Sequence, residues 1–356
     1  MRSRAVDKRF FRPQMVRIAQ ALFSIVVLVP AALCAGQAVS ALYGAQGVSY
    51  AGVRQGGLGS CYFHASIAAL ARTYPDLLRG AIQQSGPETF VVSFATGAKE
   101  IVDLEDVQYA REHGFDHSDG LWVAVLLRGY GQATLRNALL ASVAATSYPD
   151  TLKQLVTAMI QQNNLLLNAY DRAIRTTVEQ SGSLNGTKLI ETVDHEMSAL
   201  GVPIMVRMQV NQFLGQQSFV ETLAQQVQAN GELFGAYRAI GQGGIVRRVL
   251  EAFGGKVSTV GFQADPQDLK PALRLIHSGK EPAVAGSRPT GGAESPAGDM
   301  NWWVPSHAYT VLDYDESTDM VTLRNPWGDH PGQDGVFQLR TVDFIRNYEF
   351  MNLASY

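Results

Sequence analysis

The chain has 356 residues, 46% of them hydrophobic, enough for one large domain or two lobes with separate cores. A net charge of −3 with 17% charged residues points to neither nucleic acid nor an acidic surface as a partner. Two cysteines exclude a disulfide framework and a Cys-rich zinc site, and no nucleotide-binding loop is present.

In chain order, Arg2, Arg4, Lys8, Arg9, Arg12 and Arg17 precede a charge-free stretch from Ala21 to Ala35, and small residues follow in Ala35-Gly36-Gln37-Ala38. This is the anatomy of a secretory signal peptide over residues 1–38, so the protein is expected to be exported, to the periplasm or outside the cell. The apolar run is short for a span of about 20 residues. An uncleaved anchor is the alternative; cleavage leaves no stable membrane association. Cleavage would also remove Cys34 and leave Cys61 as the sole thiol, which in an exported protein asks for a role such as catalysis.

A Gly-rich lead-in (39–54) opens onto Gln55-Gly56-Gly57-Leu58-Gly59-Ser60-Cys61-Tyr62-Phe63-His64. Glycine lets backbone approach a ligand closely, and Ser60 reads as the N-cap of a helix running from Cys61 to about Arg72. The thiol would then sit in a first helical turn, where the dipole favours a thiolate. Gln55 is placed to fold its amide over the same spot, with the Cys61 N–H as second oxyanion donor. His64 is too close in sequence to act as base and reads as a packing or surface residue.

Phe90 to Phe94 alternates like a strand and turns through 95–99 into Glu100-Ile101-Val102. Trp122 lies on a helix and reads as core. Residues of about 133–238 form a mainly helical insertion, with apolar positions at helical spacing from Leu152 to Ile174. The insertion is either a packing extension or a substrate-docking or regulatory cap. From Lys256 the chain becomes β-rich, and 280–301 is a Gly- and Pro-rich loop arriving just before Trp302, Trp303 and His307.

His307 to Tyr314 and Met320 to Gly328 read as a hairpin around the polar turn 315–319. His307 and Asn325 are equidistant from residue 316, so they are expected nearly opposite each other. An Asn beside a His accepts from one ring N–H and leaves the other nitrogen for a thiol, with Trp327 shielding the bond from water. Gln, Cys, His and Asn in this order match the layout of papain-like cysteine proteases.

The motif wording is narrower. Gln-Gly-x-Leu-Gly-x-Cys (55–61), His-Ala-Tyr (307–309) and Leu-Arg-Asn-Pro-Trp-Gly (323–328) resemble the calpain family of cysteine proteases. Gly120 to Tyr130, Gly243-Gly244 through Gly254-Gly255, and Gly335-Val336-Phe337 with Asp343-Phe344 are similar to further segments of its core. The resemblance runs from about residue 50 to the C-terminus, interrupted by the insertion. It implies an α+β, papain-like two-lobe fold: a helical lobe with Cys61 (39–255, including the insertion) and a β-rich lobe with His307 and Asn325 (256–356). It implies a cysteine endopeptidase acting on protein or peptide, with Cys61, His307, Asn325 and Gln55 catalytic. Gly59, Trp303 and Trp327 are candidate substrate-binding residues, although burial of the tryptophans under the preceding loop is an equal reading.

Ser60 and Tyr62 depart from the family's Asp and Trp at those positions. The acidic calcium ligands of the family fall at Gly52 and Gly120, which offer no carboxylate, so a calcium-independent core without metal or cofactor is expected. Asp313 to Asp319 imitates the start of a calcium loop but has Thr318 and Arg324 where Gly and an acid belong, and reads as a solvated turn. The alternatives are a papain-fold acyltransferase or amidase (transglutaminase-like, or acting on cell-wall peptides) and a catalytically silent binding module.

Overall fold

A computed structural model describes residues 42–356 except 146–149, 163–166, 168–170, 175, 178–185, 200, 216–234, 263–265, 290–302 and 329–333. The expected signal segment, Trp302 and most of the loop 280–301 lie outside the described residues. No helix among the described residues is long and apolar enough to cross a membrane.

The chain is a mixed helix-and-sheet protein. Helices α1 (Cys61–Thr73) and α2 (Pro75–Ala81) lead into strands β1 (Ile82–Gln84), β2 (Thr89–Ser93) and β3 (Lys99–Asp103), an antiparallel sheet in which β1 joins the expected hairpin. Helices α3 (Leu104–Glu112) and α4 (Trp122–Ala145) follow. The inserted region contributes α5 (Asp150–Gln162), α6 (Gly186–Ala199) and α7 (Ile204–Leu214), and α8 (Gly235–Gly241) and α9 (Val246–Ala252) close this part. Then come β4 (Lys256–Gly261), α10 (Pro266–His277), β5 (Ala283–Ser287), β6 (Ala308–Asp315), β7 (Met320–Arg324), β8 (Val336–Arg340), α11 (Thr341–Asn347) and β9 (Tyr348–Ser355). These strands form one six-stranded antiparallel sheet in the order β4-β9-β5-β6-β7-β8.

Helix α1 is buried on nearly all sides, from Tyr62 to Ala71. Such a helix belongs inside a protein, and Ala65, Ala68, Ala69 and Ala71 keep it slim enough for neighbours to approach. One neighbour is β6, where the Thr310 hydroxyl donates to the Ala65 carbonyl at 2.9 Å. The helix that begins at Cys61 is thus seated on the strand that begins just past His307. Two apolar cores lie on either side of this contact. Phe63, Ile67, Leu70, Trp122 and Leu126 belong to one, and Tyr309, Val311, Leu323, Phe344 and Met351 to the other. Trp122 is fully buried, as its sequence context indicates.

The insertion does not begin as a separate body, because α4 runs unbroken past residue 133. It is anchored by charge as well. Arg128 of α4 is fully buried between Asp106 (3.1 Å) and Asp171 of the inserted region, with its guanidinium 5.3 Å above the Tyr237 ring. Asp171 also accepts the Ala236 N–H at 2.8 Å, capping the start of α8. A buried guanidinium is tolerable only with such compensation.

In the β6–β7 turn, Asp315 accepts from the Ser317 amide and hydroxyl and from the Thr318 hydroxyl, which hold its carboxyl down at about 2. The acid is consumed by its own turn, in keeping with a solvated hairpin.

Candidate active site

The glycine run ahead of α1 is shaped by close backbone approach. A Cβ on Gly59 would fall 2.3 Å from the Gly241 carbonyl oxygen, and one on Gly56 would fall 2.0 Å from that of Gly114. Only glycine fits at either place. The Gly243 N–H donates to the Gly59 carbonyl at 2.9 Å, so the end of α8 and the run before Cys61 are zipped together. Gln55 is tied the other way, its N–H donating to the Pro326 carbonyl at 2.8 Å, one residue beyond Asn325.

Ser60 precedes α1 but does not cap it with its side chain. Its hydroxyl instead lies 3.1 Å from His64 Nδ1. His64 is fully buried, and its Nε2 faces Asp116 Oδ1 at 3.3 Å. His64 Nδ1 also lies 3.1 Å from the Ser60 carbonyl, so both ring nitrogens have polar partners. His64 is therefore a packed residue with a polar partner, and the cap expected at Ser60 is lost to it. The backbone N–H groups of Cys61 and Tyr62 at the helix start, and that of Ala308 at the start of β6, favour the ionised form of the Cys61 thiol.

His307 is buried and fixed through its main chain. Its N–H donates to Ser287 Oγ at 2.9 Å, and the Ser287 N–H returns to its carbonyl at 2.9 Å. The preceding residue, Ser306, has φ +51°, a left-handed conformation that non-glycine residues adopt at a cost of about 1 kcal/mol or more. The strain sits immediately before the imidazole it helps to aim. His307 Nε2 and Asn325 Oδ1 are 3.0 Å apart. The amide oxygen accepts, so Nε2 bears the hydrogen and Nδ1 keeps its lone pair. Asn325 Oδ1 also accepts the Trp327 N–H at 3.1 Å, and the Trp327 ring lies 4.7 Å from the imidazole, centre to centre, at 46°.

The pairing register differs from the expected one. Thr310 pairs with Arg324, and a bulge at Leu312 follows. Continued one step, that register sets Asn325 opposite Tyr309, two residues beyond His307. Residues two apart on a strand share a face, so the side chains meet on a diagonal rather than directly across.

A cavity of about 620 Å³ brings the groups together: Gln55, Gly59, Cys61, His307 and Trp327 all line it. Gln55 Nε2 donates to the Leu58 carbonyl at 2.6 Å, which fixes the amide's orientation and leaves its second N–H uncommitted. Trp303 is placed elsewhere. It packs against the second core, while Val304, Pro305 and Ser306 take the cavity wall. His117 and Gly243 also line the cavity, as sequence reading does not indicate.

The electrostatics do not favour a resting thiolate. Burial pushes the Cys61 thiol up, with the N–H groups of Ala308, Tyr62 and Cys61 opposing. Burial also pulls His307 down to about 4, against the bond to Asn325. The thiolate expected at the helix start is thus outweighed by desolvation. Both shifts favour the uncharged forms of the two groups at neutral pH.

The calcium positions implied by the family resemblance can be tested on their donors. Gly120 has φ +74°, and a Cβ there would fall 2.5 Å from the Gly44 nitrogen. The Gly52 carbonyl accepts the Asp119 N–H at 2.7 Å, Asp119 Oδ2 accepts the Gln46 N–H at 2.7 Å, and the Gly120 carbonyl accepts from Arg111 at 2.6 Å. Each of these oxygens already accepts a hydrogen bond, one of them from a guanidinium, and neither glycine supplies the carboxylate that a calcium site would use. Among the described residues no group of three or more His, Cys, Asp or Glu converges to hold a metal.

Comparison of the chain with protein-family models and with curated proteins found no match.

Proposed function

We propose that the chain is a calpain-like cysteine endopeptidase with a papain-like two-lobe fold, acting without calcium on protein or peptide substrates. The observation that carries this reading is the convergence of Gln55, Cys61 and His307 on one cavity, with the His307 ring held by Asn325 beneath Trp327. These residues come from opposite ends of the chain, and a purely structural role requires no such meeting of a thiol, a base with a free ring nitrogen and an amide donor.

In this reading the Cys61 sulfur attacks the scissile carbonyl carbon as its proton passes to His307 Nδ1. The S–C bond forms and the carbonyl π electrons move to oxygen. The free Gln55 N–H and the Cys61 N–H stabilise that oxyanion. Collapse breaks the C–N bond, and His307 gives its proton to the leaving amine. Water then attacks the thioester, with His307 taking its proton and returning it to the sulfur. The neutral resting pair places the proton transfer within the attack itself.

Export belongs to the same proposal, supported by the basic and apolar pattern of residues 1–38 and by a half-buried free thiol at Cys61. The test is cleavage of an unfolded protein substrate by the wild type and by Cys61→Ala, with products resolved by mass spectrometry. New free amino and carboxyl ends, absent with the variant, support the proposal; an isopeptide product or cleavage retained in Cys61→Ala rejects it.

A further inference from the structure

One side chain holds the loop on which the Gln55 segment rests. Arg111, near the end of α3, directs its guanidinium into the loop 114–120. Its Nη1 donates to the Ser118 carbonyl at 2.6 Å, the Asp116 carbonyl at 3.4 Å and Asp116 Oδ2 at 3.3 Å, and its Nη2 donates to the Gly120 carbonyl at 2.6 Å. Four oxygens of three residues thus gather round one cation.

The same loop supports both halves of the cavity's nucleophile side. The Gly56 N–H donates to the Phe115 carbonyl at 3.1 Å, the Gly57 N–H to that of Gly114 at 2.7 Å, and the His117 N–H to that of Arg54 at 2.9 Å. These bonds pin the segment containing Gln55, which also bridges to Asp116. Asp116, fully buried, accepts in addition from Ser118 Oγ at 2.6 Å and faces His64 Nε2, through which it reaches Ser60 and the first turn of α1. Removal of the guanidinium would leave the Ser118 and Gly120 carbonyls and one buried carboxylate oxygen without this donor.

We infer that Arg111 is a positioning residue: a cation built into the chain that orders loop 114–120, and through it the Gln55 segment and the start of α1, so that no added ion is needed. Arginine suits the task because its planar fork serves several acceptors at once, whereas lysine offers a point charge. The inference rests on the proposed function only for its effect on Cys61; its effect on the loop does not depend on it. Arg111 also borders a second cavity of about 610 Å³, lined with Arg54, His117 and Asp119 among others, so the place it vacates is reachable by a small solute.

The experiment is amide hydrogen exchange, read by mass spectrometry on the full chain for peptides covering 54–60 and 114–121, in wild type, Arg111→Ala and Arg111→Lys. Loss of hydrogen bonds to a charged group predicts exchange at Gly56, Gly57 and His117 faster by at least about tenfold in Arg111→Ala. The β6–β7 hairpin should keep its protection. Millimolar guanidinium should restore the loop, and calcium should change neither protein. Arg111→Lys, which retains charge without the fork, should fall between, and serves if the alanine variant does not fold. Alkylation of Cys61 should drop and recover in parallel. Unchanged protection in both variants overturns the inference, as does a chain-wide loss that guanidinium does not relieve, or protection of the wild-type loop that rises with calcium. If the loop responds as described while wild-type Cys61 alkylates no faster than a free thiol, Arg111 orders the loop as inferred and the catalytic proposal fails.

Discussion

Replacing His307 with glutamine turns the electrostatics of the site into a measurable stability. The folded state holds this imidazole at about 4 against an ordinary 6.5, because burial removes water from the charged form. The unfolded chain takes up a proton there near pH 6.5, the folded chain only near pH 4. Between the two the unfolded state binds more protons, so stability falls as the pH drops through this window. At about 1.4 kcal/mol per pH unit, the full window is worth about 3 kcal/mol. Glutamine cannot titrate, and its amide can still donate to Asn325 Oδ1. Glu100 works with the opposite sign: burial raises its carboxyl to about 7 from an ordinary 4.5, so its contribution is lost as the pH rises through that range. Glu100 is present in both proteins and cancels in the difference between them. The assay is urea unfolding of wild type and His307→Gln from about pH 7.5 down to about pH 4. The wild type should lose about 3 kcal/mol relative to the variant. A difference that does not vary with pH would refute the buried neutral ring. A wild type that gains on the variant as the pH falls would mean an imidazolium stabilised by a resting thiolate.

Asp171→Ala removes one of two carboxylates from the fully buried Arg128 and uncaps α8 at Ala236; calorimetry should show a loss of about 3–5 kcal/mol. A loss under about 1 kcal/mol would mean that the inserted region is not anchored through this pair. Gly56→Ala drives a Cβ to 2.0 Å from the Gly114 carbonyl oxygen, so backbone must move, at about 1–3 kcal/mol and with slower Cys61 alkylation. Wild-type stability and reactivity in that variant would contradict the close approach.

Much of the site is legible because it is written in local signals. The switch from glycines to a helix-forming run places the start of α1 at Cys61, and the polar turn 315–319 between two apolar runs places the β6–β7 hairpin. The His307–Asn325 bond follows from the hairpin, although the bulge at Leu312 sets it on a diagonal. What sequence spacing cannot convey is contact between distant segments. Ser60 looks like a cap until the buried His64 claims its hydroxyl, and the partner that makes His64 tolerable, Asp116, lies 52 residues on. The same limit hides Ser287 behind His307 and Arg111 beneath the loop. For Trp303 the sequence leaves cleft and burial equally open, and it is packing against the second apolar core that distinguishes them. The neutral resting pair was likewise beyond reach, since a helix start argues for a thiolate and only the extent of burial reverses the balance.

The most direct test of the central claim is the rate at which an epoxide-type thiol inhibitor labels Cys61, compared in wild type, His307→Ala and Asn325→Ala. The account predicts rapid labelling of the wild type, losses of about 100-fold or more without the base and about tenfold without its orienting amide. Labelling of the wild type at the rate of a free thiol, indifferent to His307, would contradict it.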